Sequence, residues 1–335
     1  MDNDIFSGLS GFGLSPYEIK VYSTLALKGE LTPSQIVRVS GIPQPRVYDV
    51  LRNLHDKGLV EFSPTKKRVY RALPVKGALE SRIRNMETYI EELSLYIEKE
   101  RSVNVNQSPS LWIATGTAQI LQRMRQIIKN SKTEVIISLD VVKLEPLLSV
   151  LRDAVERGIS VIMVLFNENS EKTELPDMGG MVVRWRESKA SDVLIVDRNI
   201  GLINLERGGE QVEYAAVFDE DELIHILNYY FYHTIWSPSK YVVDFNNSTA
   251  RKFVTAWLTC EAIEAYSPLH GKIGAELECN YQGKKTILKG TVEKTLRIAG
   301  LRHTFFIETA GGTVSVGGKT ARLEQARLIS VNLKL

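Results

Sequence analysis

Only two of the 335 residues are cysteine, Cys260 and Cys279. They offer neither a disulfide framework nor the paired spacing of a structural metal site, and a reducing cytoplasm is the expected compartment. No apolar run approaches the ~18 residues that a membrane span requires. The first residues, MDNDIFSGLSGFGLS, are acidic where a secretory leader would be basic. Clustered carboxylate pairs and a Ser/His/Asp set are also missing, which argues against an enzyme and leaves no cofactor to expect. What remains is a globular composition, 44% hydrophobic and 24% charged, long enough for two or three domains.

The net charge of +2 is unevenly spread. Residues 31–76 hold nine Lys and Arg against three Asp and Glu, a local charge of +6, and concentrated positive charge is the footprint of a polyanion-binding surface. The same stretch reads as a winged helix-turn-helix. Ser15, Pro16 and Glu18 open a first helix with a capping-box pattern, carrying Ile19, Tyr22, Leu25 and Ala26 on one face. Thr32-Pro33 caps a second helix, with Ile36, Val37 and Val39 expected inside. Gly41 supplies the positive φ of a sharp corner. A third helix starts at Pro43 or Gln44, buries Val47, Val50, Leu51 and Leu54, and stops at Gly58. Alternating residues 59–62 and 68–72 form a hairpin around a tip at 63–67.

In such a unit the second helix of the turn enters the major groove. Gln44, Arg46, Tyr48 and Asp49 are therefore the candidates for base edges, because Gln can pair with adenine and Arg with guanine. Lys66, Lys67 and Arg68 in the wing are candidates for phosphate or minor-groove contacts.

Leu79, Ile83, Met86, Ile90, Leu93 and Ile97 follow at spacings alternating between four and three, a heptad seam that predicts a coiled coil joining two subunits. Polar residues 102–110 read as a linker. Helices at 117–130 and 144–157 then alternate with near-continuous apolar strands at 111–114, 134–139 and 159–166. More strands at 181–185, 193–197, 200–205 and 214–218 and a helix at 221–236 complete an α/β domain with a covered sheet. A helix is expected over 245–266, and the glycine-rich, β-branched remainder suggests a small antiparallel barrel or sandwich.

The order of these parts, with the motifs PQPRVYDVLRNLHDKGLV and SVGGKTA, resembles the TrmB family of archaeal sugar-responsive transcriptional regulators over nearly the whole chain. The fold class expected is therefore multidomain α+β. A winged helix-turn-helix (1–74) and a coiled-coil dimerisation helix (75–103) would precede a phospholipase-D-like α/β domain (111–240) and a C-terminal β effector-binding domain (241–335). The enzymes of that α/β fold need H-x-K-x-x-x-x-D. Aligned on Asp197, Ala190 stands for the histidine and Asp192 for the lysine, so no nucleophile remains and the domain reads as a scaffold.

The resemblance further implies a mono- or disaccharide between the α/β and β domains. Carried onto this chain, it points to Gly318, Lys319, Arg322 and Glu324, with His303 earlier and Ser237 at the domain junction. His303 departs from the amide expected at its position. The expected function is a homodimeric transcriptional regulator that binds double-stranded DNA, acts away from membranes and answers to a sugar. The alternative is an architectural DNA-coating protein without an effector.

Overall fold

The computed structural model describes residues 3–63, 68–103, 110–167, 175–205, 213–298 and 302–335. Two compact units divide the chain, Met1–Gln107 and Ser108–Leu335.

In the first unit, α1 (Asn3–Ser7) and a 3-10 turn (Gly8–Phe12) lead into α2 (Pro16–Lys28), α3 (Pro33–Ser40) and α4 (Gln44–Asp56). Ser15 and Glu18 close a capping box at α2, and Thr32 and Gln35 close another at α3. Gly41 (φ 69°) and Gly58 (φ 67°) take the left-handed conformation at the ends of α3 and α4. The hairpin β1 (Val60–Ser63) and β2 (Val69–Ala72) pairs antiparallel, Val60 opposite Ala72 and Ser63 opposite Val69.

Val21, Tyr22, Leu25, Ile36, Leu51 and Leu54 are almost wholly enclosed in the core of this unit. Two residues expected inside are outside. Ala26 and Val39 are exposed, because Val21 takes the inward position on α2 and the short α3 has room for one fully buried side chain, Ile36. The tip 64–67 lies outside the described residues.

α5 (Val75–Val103) is a single helix of 29 residues, ~43 Å long at 1.5 Å per residue. Leu79 packs against the winged-helix core. Ile83, Met86, Ile90, Leu93 and Ile97 are all exposed, 41–58% of each side chain lying open. Of the linker expected at 102–110, residues 104–109 lie outside the described residues.

The second unit begins with β3 (Leu111–Thr115), α6 (Thr117–Lys129), β4 (Glu134–Asp140), α7 (Glu145–Glu156) and β5 (Ser160–Phe166). It continues through β6 (Val182–Arg186), β7 (Val193–Val196), β8 (Ile200–Leu205), β9 (Tyr214–Phe218) and α8 (Asp221–Tyr230), which runs on as a π-helix (Phe231–Trp236). β10 (Lys240–Val243) completes an eight-stranded sheet of order β10-β6-β5-β4-β7-β8-β9-β3. β4, β5 and β6 are parallel, and the remaining pairings are antiparallel. One face packs on α6 and α7 through Ile128, Leu147 and Leu151.

The other face is shared. β11 (Lys252–Phe253) and α9 (Ala256–His270) are followed by β12 (Gly274–Tyr281), β13 (Lys284–Ile298), β14 (Arg302–Thr309), β15 (Gly312–Gly317) and β16 (Ala326–Lys334). β16 pairs with both β12 and β15, so these strands close into a barrel. A single core joins Ile136, Ile162 and Val164 of the sheet, Phe231 and Trp236 of the π-helix, and Leu277, Phe305 and Val331 of the barrel. The division expected at 240/241 falls inside β10, which belongs to the first sheet, and the two sheets share one core.

The helix expected over 245–266 begins later, at Ala256. Asp244 caps a 3-10 turn at Phe245–Asn247, and Lys252–Phe253 pairs with β16 instead of continuing a helix.

Candidate ligand cavity and nucleic-acid surface

On α4, Val47, Val50, Leu51 and Leu54 face the core, so Gln44, Arg46, Tyr48 and Asp49 face solvent. Pro43 at the N-cap and Pro45 in the first turn start the helix without a capping side chain; Pro45 has no N–H to satisfy, and Arg46 N donates to Pro43 O at 2.9 Å. Arg68 is exposed and stands over the Phe62 ring, 5.5 Å from its centroid. Lys66 and Lys67 lie outside the described residues.

Two members of the basic stretch are committed internally. Lys57 donates to the buried Glu18 carboxylate at 2.8 Å, and Arg71 pairs with Glu61. Burial would raise the Glu18 pKa, but bonds from Lys57 and Ser15 outweigh it and hold the group below the usual carboxylate value. The surface that can meet a phosphate is therefore narrower than the sequence count of +6.

In the second unit, a cavity of about 440 Å³ opens between the sheet's turn at 197–199, α8 and its π-helical extension, the start of α9, and the barrel. The π-helix inserts an extra residue into the turn and sends Tyr232 and His233 toward this space, the kind of local irregularity often found at functional sites. The Tyr232 ring lies 4.8 Å from Trp257 and 4.9 Å from His303, centroid to centroid. Its hydroxyl accepts from Arg297 at 3.3 Å and stands 3.1 Å from His303 Nε2. Arg297 is itself held by Glu261 and Glu264. Burial, with the nearby Arg297 and His233 charges, pushes the His303 pKa down to about 4, so its imidazole is neutral near pH 7.

Beside His303 on β14, Arg302 Nε and Thr304 Oγ1 donate to Glu324 Oε1 at 2.7 Å and 2.6 Å. Burial would raise the Glu324 pKa; the bonds from Thr304 and Arg302 prevail and lower it. With Oε1 occupied, the capacity of Glu324 for a ligand hydroxyl rests on Oε2.

Of the glycine pair, Gly317 is the one a side chain cannot replace. A Cβ there would lie 2.7 Å from both Ala321 Cβ and Glu324 Cδ. A Cβ at Gly318 would meet only ordinary contacts, with Arg198 Nη1 at 3.6 Å and Ala256 Cβ at 3.7 Å.

The structure brings together four of the six residues expected at the sugar: His303, Gly318, Arg322 and Glu324 line the cavity. Ser237 does not; it closes the end of the π-helix, donating to Tyr232 O at 2.8 Å. Lys319 does not either, because its ammonium pairs with Asp221. Arg198, Tyr232, Trp257 and Arg302 were not expected. The one signal available for them was the density of aromatic and histidine residues in 228–236.

The stretch aligned to H-x-K-x-x-x-x-D spans the sheet from one end to the other. Asp192 lies at the end of β7 opposite the cavity and accepts from Lys143 Nζ at 2.8 Å, Asp140 N at 2.9 Å and Asn204 Nδ2 at 3.2 Å. Asp197 accepts from the backbone N–H groups of Lys132, Thr133 and Glu134 at 2.8–2.9 Å. Both carboxylates act as structural acceptors. Among the described residues, no cluster of three His, Cys, Asp or Glu could hold a metal, and no helix is long and apolar enough to cross a membrane.

Comparison with known proteins assigns the architecture. Residues 9–76 match the family profile described as the sugar-specific transcriptional regulator TrmB. Residues 110–243 match the N-terminal subdomain of the TrmB effector-binding domain, and residues 248–335 match the TrmB/TrmBL1 C-terminal subdomain. The chain belongs to the TrmB family of transcriptional regulators.

Among its relatives is the HTH-type sugar sensing transcriptional regulator TrmBL1 of Pyrococcus furiosus, 29% identical over 172 residues. That alignment spans 51% of this chain and 49% of TrmBL1, about half of each. YrhO of Bacillus subtilis is 23% identical over 232 residues, covering 67% of this chain and 84% of YrhO. The solved structure of TrmBL2, described as an archaeal chromatin protein, is similar at 22% identity with a TM-score of 0.40, covering 72% of this chain and all of that one.

Proposed function

We propose that this protein is a sequence-specific DNA-binding transcriptional regulator whose operator affinity is set by a saccharide held in the cavity of residues 108–335. The observation that carries this reading is the cavity lining. Aromatic faces from Tyr232 and Trp257 can stack on the apolar face of a pyranose ring, while His303, Arg302 and Glu324 offer both donors and acceptors to its hydroxyls. In this reading the site binds its ligand and does not turn it over. The exposed seam Ile83, Met86, Ile90, Leu93 and Ile97 suits a second copy of α5. The homodimer so formed would present two α4 helices to half-sites related by a two-fold axis.

Ligand control then requires that the sugar bind two arrangements of the dimer with different affinity. Calorimetric titration of the full chain with a sugar panel, paired with mobility shifts on the protein's own promoter, tests this. A sugar that binds and alters the shift is expected. Indifference of both measurements to every mono- and disaccharide would remove the sensing half.

A second reading is an effector-independent architectural DNA-binding protein. The match at residues 248–335 to a TrmB/TrmBL1 effector subdomain favours the first. Sequence-tolerant binding with a steep salt dependence would favour the second.

A further inference from the structure

The cavity carries more positive charge than a neutral sugar needs. Three arginines line it, Arg198, Arg302 and Arg322, against the single carboxylate of Glu324, which Arg302 already engages.

Arg198 is placed there at a backbone cost. It and Asp197 form the β7–β8 turn with φ of 51° and 50°, closed by Asn199 N donating to Val196 O at 2.9 Å. Two consecutive non-glycine residues in this left-handed region are strained. The three backbone N–H bonds to the Asp197 carboxylate hold the turn in place. The result is a partly buried guanidinium at the cavity wall. It stands 3.2 Å from His225 Nδ1 and makes no ion pair among the described residues, feeling Glu134 and Asp221 only through longer-range attraction.

A second positive element converges on it. The first turn of α9, a helix of 15 residues, opens onto the cavity at Thr255, Ala256 and Trp257. Thr255 donates its hydroxyl to Glu134, so the N-cap side chain closes none of the helix's first N–H groups. Arg198 Nη1 and Ala256 Cβ both lie within 3.7 Å of the point where a Gly318 side chain would begin. The missing side chain leaves that point open. A planar fork of donors beside a helix N-terminus is the arrangement that receives an oxyanion.

We infer that the effector is a saccharide bearing an anionic group, a phosphate ester or a carboxylate, with the anion between Arg198 and the start of α9 and the ring against Tyr232 and Trp257. This rests on the saccharide reading above and names its ligand class. Ring and anion meet different groups of one cavity, aromatic faces and Arg198, so each should contribute separately.

The test is calorimetric titration of the full-length protein with glucose 6-phosphate, glucuronate, glucose and inorganic phosphate, repeated on Arg198→Gln and on the rim variant Arg322→Gln. One of the two acidic sugars should bind at least ten-fold more tightly than glucose, and which one does distinguishes phosphate from carboxylate. Arg198→Gln should weaken that ligand about ten- to hundred-fold, the size expected for lost charged hydrogen bonds, and Arg322→Gln far less. Should Arg198→Gln fail to fold, the wild-type protein still decides, because affinity for the acidic sugar should fall as NaCl is raised while that for glucose stays level.

Equal, salt-insensitive affinity for glucose and both acidic sugars overturns the anionic inference and leaves saccharide sensing standing. Inorganic phosphate binding as tightly as glucose 6-phosphate overturns the saccharide part. No binding of any of the four overturns the anionic inference, and the full sugar panel then decides saccharide sensing.

Discussion

Glu134 and Thr255 are 121 residues apart in the chain, yet the buried carboxylate of the first accepts the hydroxyl proton of the second. Glu134 Oε2 also accepts from the backbone N–H groups of Val254, at 3.1 Å, and Thr255. One strand along, Ser160 Oγ accepts from Arg251 N and Lys252 N, both at 3.1 Å. The first residues of two parallel strands thereby seat the segment that delivers α9 to the cavity. Any change in this seat moves one of the cavity's walls.

Burial raises the Glu134 pKa to about 7, helped by repulsion from Asp197 and opposed by the bonds from Thr255 and Val254. A folded-state pKa above the unfolded value of 4.5 means that the native state holds a proton the unfolded chain has released. Its stabilisation is complete below pH 4.5 and is lost as pH rises through 7. His303 works in the opposite sense, since its depressed pKa removes stability as pH falls from 6.5 toward 4. All four tryptophans lie in residues 108–335, so denaturation followed by their fluorescence reports this unit. Glu134→Gln should leave the His303 dependence alone, with stability rising with pH between 4.5 and 6.5 more steeply than in the wild type. An unchanged slope would show that Glu134 does not titrate in this window.

Gly317→Ala should disable the cavity while Gly318→Ala spares the fold. At 317 the new methyl collides with Glu324 and Ala321, and relieving it breaks the Arg302–Glu324–Thr304 contacts, at ~1–3 kcal/mol for overpacking. Thermal unfolding of both variants compares the costs. A Tm for Gly317→Ala equal to that of Gly318→Ala would contradict the assignment.

Lys143→Ala should be among the most destabilising single changes in the second unit. It strips the countercharge from Asp192, whose side chain is 5% exposed, and frees Glu213 as well. Breaking a buried pair by removing one partner costs ~3–5 kcal/mol. The double variant Lys143→Met/Asp192→Asn should recover most of the loss in urea denaturation, which a simple packing role for Lys143 would not produce.

On the winged helix, Arg46→Ala should change which sequence is preferred, at ~1–3 kcal/mol for a lost bidentate base contact. Arg68→Ala should weaken all sequences alike and reduce the salt slope by about one ion. Quantitative binding to a randomised operator library separates the two, and the opposite pattern would exchange their roles.

Ile90→Glu should dissociate the proposed dimer, because a carboxylate would enter the apolar seam twice, once from each copy. Sedimentation velocity would show a monomer. A species of unchanged mass would mean that the exposed face of α5 is not the subunit contact.

The elements were largely legible because their signals are local. Capping boxes at Ser15 and Thr32, left-handed glycines at 41 and 58, and the heptad spacing of α5 each depend on residues within a turn or two. Where local reasoning failed, a distant partner had decided the outcome. Lys319 was drawn to Asp221, Lys57 to Glu18, and residues 252–253 to β16.

The sequence by itself determined a winged helix, a long amphipathic helix, a covered sheet and a glycine-rich antiparallel β region, barrel or sandwich, since periodicity and turn chemistry act over a few residues. Only the tertiary structure decided what the second unit can hold. Arg198, Tyr232, Trp257, Arg302 and Glu324 come from separate turns, helices and strands. No spacing in the chain relates them; they meet because the sheet and the barrel share one core, and burying that core fixes where their polar edges stop.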